Sequence, residues 1–209
     1  MNTTARFSIA GLAYAFMAPL AASSPADTNF SYTYMGIGVA RTHFDDTVWI
    51  ADEAYDEVAG LTISGASRLG RLPLVFFGST RGQTNDGSRS ELSLSKADIG
   101  LAFPFRMGDR VDLVPAIGYG LAEVEACYDD LCAKSDDSGA LVGLGTRMWL
   151  MQGSLELNLD YEWIDFDHGS ESAIGVGVAG WFLERHSVRL AGVVVDDART
   201  IQLGYRFSW

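Results

Sequence analysis

Basic residues, cysteine, histidine and proline are all scarce in this chain. Fifteen Lys and Arg stand against 27 Asp and Glu, a formal net charge of −12 over 209 residues. Nucleic acid is thereby excluded as a partner, because phosphate binding needs a basic footprint. There are two cysteines and three histidines. Cys127 and Cys132 lack the CxxC spacing, and only His43, His168 and His186 are there to complete a zinc site, so no metal site is expected from them. Proline is limited to five residues while 48% of the chain is hydrophobic, too apolar a composition for disorder. No apolar run beyond the first 26 residues reads as a membrane helix.

The N-terminal stretch is a different matter. Residues 1–26 carry one positive charge (Arg6), an apolar run from Phe7 to Ala22 and small residues through Ala26. That pattern predicts a secretory signal peptide cut after Ala26, with Ser24 and Ala26 as the small pair, leaving a domain of residues 27–209. In an exported protein Cys127 and Cys132 are expected to form a disulfide, worth about 2 kcal/mol for so small a loop.

From Phe30 onward the dominant signal is a period of two. Its clearest case is the last stretch, where Ile201, Leu203, Tyr205, Phe207 and Trp209 alternate with Gln202, Gly204, Arg206 and Ser208. Residues 30–41, 57–69, 91–105, 110–123, 138–150, 155–163, 172–182 and 187–195 alternate likewise. Residues 72–81 form a further strand whose LPLVFF run leaves its facing open. Residues 43–56, 82–89, 125–137, 165–171 and 196–198 read as loops, and short turns near Gly70, Gly108, Gly153 and Glu184 fall between them.

Ten strands with alternately short and long connections predict an all-β fold, a single antiparallel up-and-down transmembrane β-barrel; eight strands is the alternative count. An open edge in hydrocarbon would strand unpaired backbone groups, so sheets this apolar on one face either close or pack as a secreted sandwich. The mean hydropathy of +0.10 is low for a bundle of membrane helices and suits a closed sheet with its polar half inside.

Gln202, Gly204, Phe207 and Trp209 have the spacing of a C-terminal membrane-assembly signal. On those residues the chain resembles the small outer-membrane β-barrel proteins of Gram-negative bacteria. The resemblance implies residence in the cell outer membrane among its lipid and lipopolysaccharide, recognition of the last strand by the barrel-assembly machinery, and closure of that strand on the first. It implies no cofactor. The family includes adhesins, envelope-stabilising proteins, lipid enzymes and small channels, so the fold alone does not fix the function.

Several groups are candidates for chemistry. Lys96, Arg110, Arg147 and Arg206 are expected to meet Asp98, Asp112, Glu156, Asp160 and Glu162 across the lumen and fill it, since a barrel this narrow packs with side chains. The acidic residues Asp45, Asp46, Asp52, Glu53, Asp56 and Glu57, and Glu125, Asp129, Asp130, Asp136 and Asp137, offer oxygen ligands to extracellular Ca²⁺ or Mg²⁺, although none has EF-hand spacing. His168 and Ser170 form an HxS triplet like that of outer-membrane lipid A deacylases, but Glu171 follows where those enzymes have asparagine. Asp165, Asp167 and His168 resemble omptin loop residues without the Asp-x-His spacing. The expected function is therefore a non-enzymatic envelope or surface-interaction barrel; the alternatives are a narrow porin-like channel and a lipid A modifying enzyme.

Overall fold

The computed structural model describes residues 29–70, 72–195 and 197–209, so the signal-peptide segment lies outside the described residues. Eleven strands follow one another: β1 (Tyr34–Ile50), β2 (Glu53–Arg68), β3 (Val75–Asp86), β4 (Ser90–Ala102), β5 (Phe105–Arg106), β6 (Val111–Tyr128), β7 (Leu131–Met151), β8 (Leu155–Phe166), β9 (Gly169–Phe182), β10 (His186–Val195) and β11 (Ala198–Ser208). The two residues of β5 continue β4 beyond Pro104, whose missing N–H interrupts the ladder, and they pair with Leu113 and Asp112 of β6.

The sheet order is β4-β3-β2-β1-β11-β10-β9-β8-β7-β6, and β4 pairs with β6 to close the ring. With β5 counted as the end of β4, this is a closed ten-stranded antiparallel barrel. The last strand lies on the first, from Tyr34 opposite Ser208 to Phe44 opposite Ala198. Closure leaves no open edge, as hydrocarbon surroundings demand.

Alternation sorts the side chains. Met35, Ile37 and Val39 of β1, Leu61 and Ile63 of β2, Ile117, Tyr119 and Leu121 of β6, and Ile201, Leu203 and Tyr205 of β11 are exposed on the outer wall. Tyr34, Thr42, Thr62, Asp112, Glu156 and Arg206 are buried inside. The LPLVFF ambiguity resolves with Val75 and Phe77 inward and Phe76 outward. Around one rim Phe182, His186, Tyr205, Phe207 and Trp209 pack as a belt, with ring centroids 5.1–5.9 Å apart.

The predicted long loops are largely strand. Residues 43–56 are the upper part of the β1–β2 hairpin, turning only at Ala51 and Asp52. A register shift between His43 and Val48 marks a bulge that breaks the period of two and disguises the strand. Residues 125–137 are likewise the top of the β6–β7 hairpin, paired without a break up to Tyr128 opposite Leu131. Above the lipid both faces meet water, so the apolar alternation disappears while the backbone ladder continues.

Candidate functional site

Three features set what the barrel can do: a strap across one mouth, a charged interior, and a group of joined hairpins at the other mouth.

The strap is residues 29–33. The Asn29 backbone N–H donates to both Asp112 oxygens at 3.1 and 3.0 Å, and Nδ2 donates to Asp112 Oδ1 at 2.9 Å and to the Gly108 and Val111 carbonyls at 3.1 Å. Tyr32 OH donates to Asp112 Oδ2 at 3.0 Å. Phe30 stacks on Trp149 with centroids 4.7 Å apart, and the Arg147 guanidinium carbon lies 4.3 Å from the centroid of the Phe30 ring. Trp149 Nε1 donates to the Asn29 carbonyl at 3.1 Å and Arg147 Nη1 to the Ser31 carbonyl at 3.2 Å. In the ring, β7 lies five strands from β1 in either direction. The strap therefore spans the whole mouth before β1 begins.

Above it lies the charged interior. Arg147 Nε and Nη2 donate to Glu156 Oε1 and Oε2, both at 2.7 Å, and Trp181 Nε1 donates to Oε2 at 2.7 Å. Arg206 approaches Glu156 Oε1 at 3.9 Å and lies over the Tyr34 and Trp181 rings at 5.3 and 5.1 Å. Further along, Arg189 meets Asp160 at 3.3 Å, Lys96 meets Glu162 at 3.3 Å, and Ser79 Oγ donates to Asp98 at 2.6 Å. Buried apolar side chains inside the barrel form two clusters, one around Tyr32, Phe77, Val114 and Ile164 and a second around Phe44, Tyr55, Leu92 and Val193.

Of the charges predicted to face the lumen, Lys96, Asp98, Asp112, Arg147, Glu156, Asp160, Glu162 and Arg206 are buried there. Arg110 is not. It is exposed in the turn before β6, where the chain has already left the barrel wall and a long side chain reaches solvent. Sequence reasoning missed Arg81 and Arg189, both buried in the interior. Arg189 was readable, since Val188 and Leu190 flank it as outward residues; Arg81 was hidden by the open facing of its strand. Of the four residues expected from their spacing to form an assembly signal, Gln202 and Gly204 lie on the inner face of β11, and Phe207 and Trp209 belong to the outer aromatic belt.

At the opposite mouth three hairpins adjacent in the ring are joined at their tips. Glu53, from β1–β2, accepts from the Ser88 and Ser90 backbone N–H groups at 2.9 and 3.1 Å and from the Ser90 hydroxyl, all in the β3–β4 turn. Tyr55 OH donates to the Ser90 carbonyl at 2.7 Å. Arg89 then reaches β6–β7, with Nε 3.0 Å from Asp129 Oδ1 and its guanidinium 4.9 Å over the Tyr128 ring. The Ser90 hydroxyl, with the turn's N–H groups, holds the Glu53 carboxyl below its ordinary pKa, and Arg89 does the same for Asp129. Cys127 and Cys132 are joined by a disulfide beneath the β6–β7 tip. Trp49 and Leu131 stand exposed near the tips, at 60% and 79%.

The acidic residues are less available than their number suggests. Glu57 is engaged by Arg41, Asp45 by Arg199 at 3.2 Å and Glu123 by Lys134 at 2.6 Å. Among the described residues one group has the spacing to hold a metal, Glu125 with Cys127 and Cys132, and the disulfide removes both thiolates. His168 Nδ1 lies 3.1 Å from Asp137 Oδ2, beside the two-residue turn between β8 and β9.

A closed barrel with an apolar outer wall and a polar interior is the architecture of a transmembrane β-barrel. The family model described as outer membrane protein beta-barrel domain matches residues 10–182. The chain belongs to that family, and its place is the outer membrane. The outer membrane protease OmpT of Escherichia coli superposes with a TM-score of 0.51 at 10% identity, over 89% of this chain and 98% of that one. Ail, the attachment invasion locus protein of Yersinia pestis, gives 0.45 at 12% identity over 84% and 97%. The beta domain of the Bordetella autotransporter BrkA gives 0.47 at 14% over 85% and 99%. At these identities the likeness is one of fold. No curated protein matches the sequence.

Proposed function

We propose that this is a non-enzymatic outer-membrane protein that works through its joined hairpins, the barrel serving as a closed pedestal. The observation that carries the reading is the chain of contacts from Glu53 to the β3–β4 turn and from Arg89 to Asp129. It unites three hairpin tips into one stiff surface, and stiffness lowers the ordering cost of binding. The orientation usual for such barrels puts short turns in the periplasm and the longer hairpins outside. Trp49 and Leu131 then present apolar anchors among acidic neighbours to the medium, the composition of a contact surface with a hot-spot centre and polar rim.

The narrow-channel reading needs a continuous aqueous path. Against it stand the strap at one mouth, the Phe44, Tyr55 and Leu92 cluster towards the other, and the ion pairs between them. Planar-bilayer recording of the purified protein tests the pedestal. Silent insertion, verified by a heat-dependent change in gel mobility, is the expected result; steady unitary conductance overturns it in favour of the channel. A lipid A profile unchanged by expression of the protein is the matching expectation for the absence of lipid-modifying activity.

A further inference from the structure

The interior charges are not mixed evenly around the ring. Every buried carboxylate among the described residues, namely Asp98, Asp112, Asp137, Glu156, Asp160, Glu162 and Glu171, sits on β4, β6, β7, β8 or β9. The other five strands, β3, β2, β1, β11 and β10, are contiguous in the ring, and their buried charged residues are Arg81, Arg189 and Arg206. One half of the lumen wall thus carries buried arginines and no buried carboxylate, and it faces a half that carries all the buried carboxylates together with Lys96 and Arg147.

A cavity of about 50 Å³ lies against the cationic half. All three arginines line it together with Thr62, Ser64 and Gln202, and no Asp or Glu is among the lining residues. Its existence follows from the sequence, because Gly36, Gly204 and Ala191 supply almost no side-chain volume at this level. The carboxylates that answer the arginines stand on the far wall. Asp160 reaches Arg189, and Glu156 is shared, giving both oxygens to Arg147 at 2.7 Å and standing 3.9 Å from Arg206. Gln202 adds a second indication: Nε2 donates to Thr62 Oγ1 at 2.7 Å while Oε1 has no partner. Reversing that amide, which leaves its shape unchanged, lets the Thr62 hydroxyl donate to Oε1 and frees two N–H donors for another acceptor.

We propose that this cavity is a binding site for a small inorganic anion of halide size. Guanidinium and hydroxyl donors around a partly enclosed space, with the carboxylates set behind them, make a lining whose charged groups are all of one sign, and reduced dielectric strengthens each contact. At roughly 10–15 Å³ for each water-sized occupant, the space suits a chloride ion with a few waters and is too small for an organic acid. The site is independent of the hairpin surface and stands or falls separately from it, since neither Arg81, Arg189 nor Arg206 contributes to the tips.

The test uses the refolded full mature domain in detergent, with bromide as the probe and gluconate holding ionic strength constant. Raising bromide from about 1 to about 100 mM is expected to raise the thermal unfolding midpoint by about 3 °C or more, since a ligand bound only by the folded state stabilises it by mass action. Ser64→Leu, which fills the cavity without touching an ion pair, is expected to abolish the shift while the variant still folds; should it not fold, Arg81→Gln is expected to reduce the shift severalfold. A bromide anomalous peak between Arg81, Arg189 and Arg206 in crystals grown from sodium bromide is the direct form of the result. An unfolding midpoint indifferent to bromide, or a shift undiminished in the foldable variant, overturns the proposal.

Discussion

Arg147 and Glu156 meet diagonally across adjacent strands near the strapped mouth, joined by two hydrogen bonds of 2.7 Å with neither side chain exposed to solvent. This bidentate pair is the hub of the interior: Trp181 and Arg206 gather on the glutamate, Phe30 and the Ser31 carbonyl on the arginine. Removing one partner of a buried pair leaves an unbalanced charge. Arg147→Leu is therefore expected to lower stability by about 3 kcal/mol, while Arg147→Leu with Glu156→Leu recovers much of the loss. Urea titrations read by heat-dependent gel mobility measure both, and an Arg147→Leu midpoint equal to the parent's would show that the pair stabilises nothing.

The joined tips make a pH prediction. The Glu53 carboxyl is held below its ordinary value in the folded protein, so its contribution is complete above the unfolded pKa and is lost as pH falls through the lower, folded one. Amide hydrogen exchange at Ser88 to Ser90, corrected for intrinsic rates, is expected to stay slow from neutral pH down to about 5 and to quicken below about 4. Glu53→Gln should exchange faster at neutral pH and lose most of that dependence, with the barrel strands unaffected.

Two glycines make a controlled comparison. A methyl group on Gly60 would come within 1.9 Å of the Gly82 carbonyl and 2.7 Å of Gln83 Cα, both backbone atoms of the paired strand. One on Gly82 would meet nothing within 4 Å. Gly60→Ala is expected to cost about 2 kcal/mol by forcing the strands apart, and Gly82→Ala less than about 0.5. Equal midpoints for the two variants would contradict the close approach of β2 and β3.

The β9–β10 turn is improvable. Leu183 and Glu184 both adopt positive φ, 52° and 62°, a conformation that hairpin turns ordinarily assign to Asn and Gly. Replacing the pair by Asn-Gly is expected to stabilise the barrel by about 1 kcal/mol, seen as a higher thermal midpoint.

Strand number and closure, and the facing of every full-length strand but β3, could be read from the sequence because lipid imposes a period of two on the segments it touches. β8 shows this best, with Leu157, Leu159 and Tyr161 set against Asn158, Asp160 and Glu162. The hairpin tops were not legible. Around Asp45 and Asp46 a bulge disturbs the period, and around Cys127 to Cys132 water on both sides removes the need for one. Residues that matter through long-range contact were the hardest: nothing local to Glu53 announces that it accepts hydrogen bonds from a turn 35 residues away. Arg110 failed for the opposite reason, since its period points inward but β6 begins only at Val111.

The strap has a practical consequence for anyone handling the protein. Asn29 and Phe30 are pinned between Asp112 and Trp149, so an affinity tag fused directly ahead of them would begin inside the mouth and pull against its own anchor.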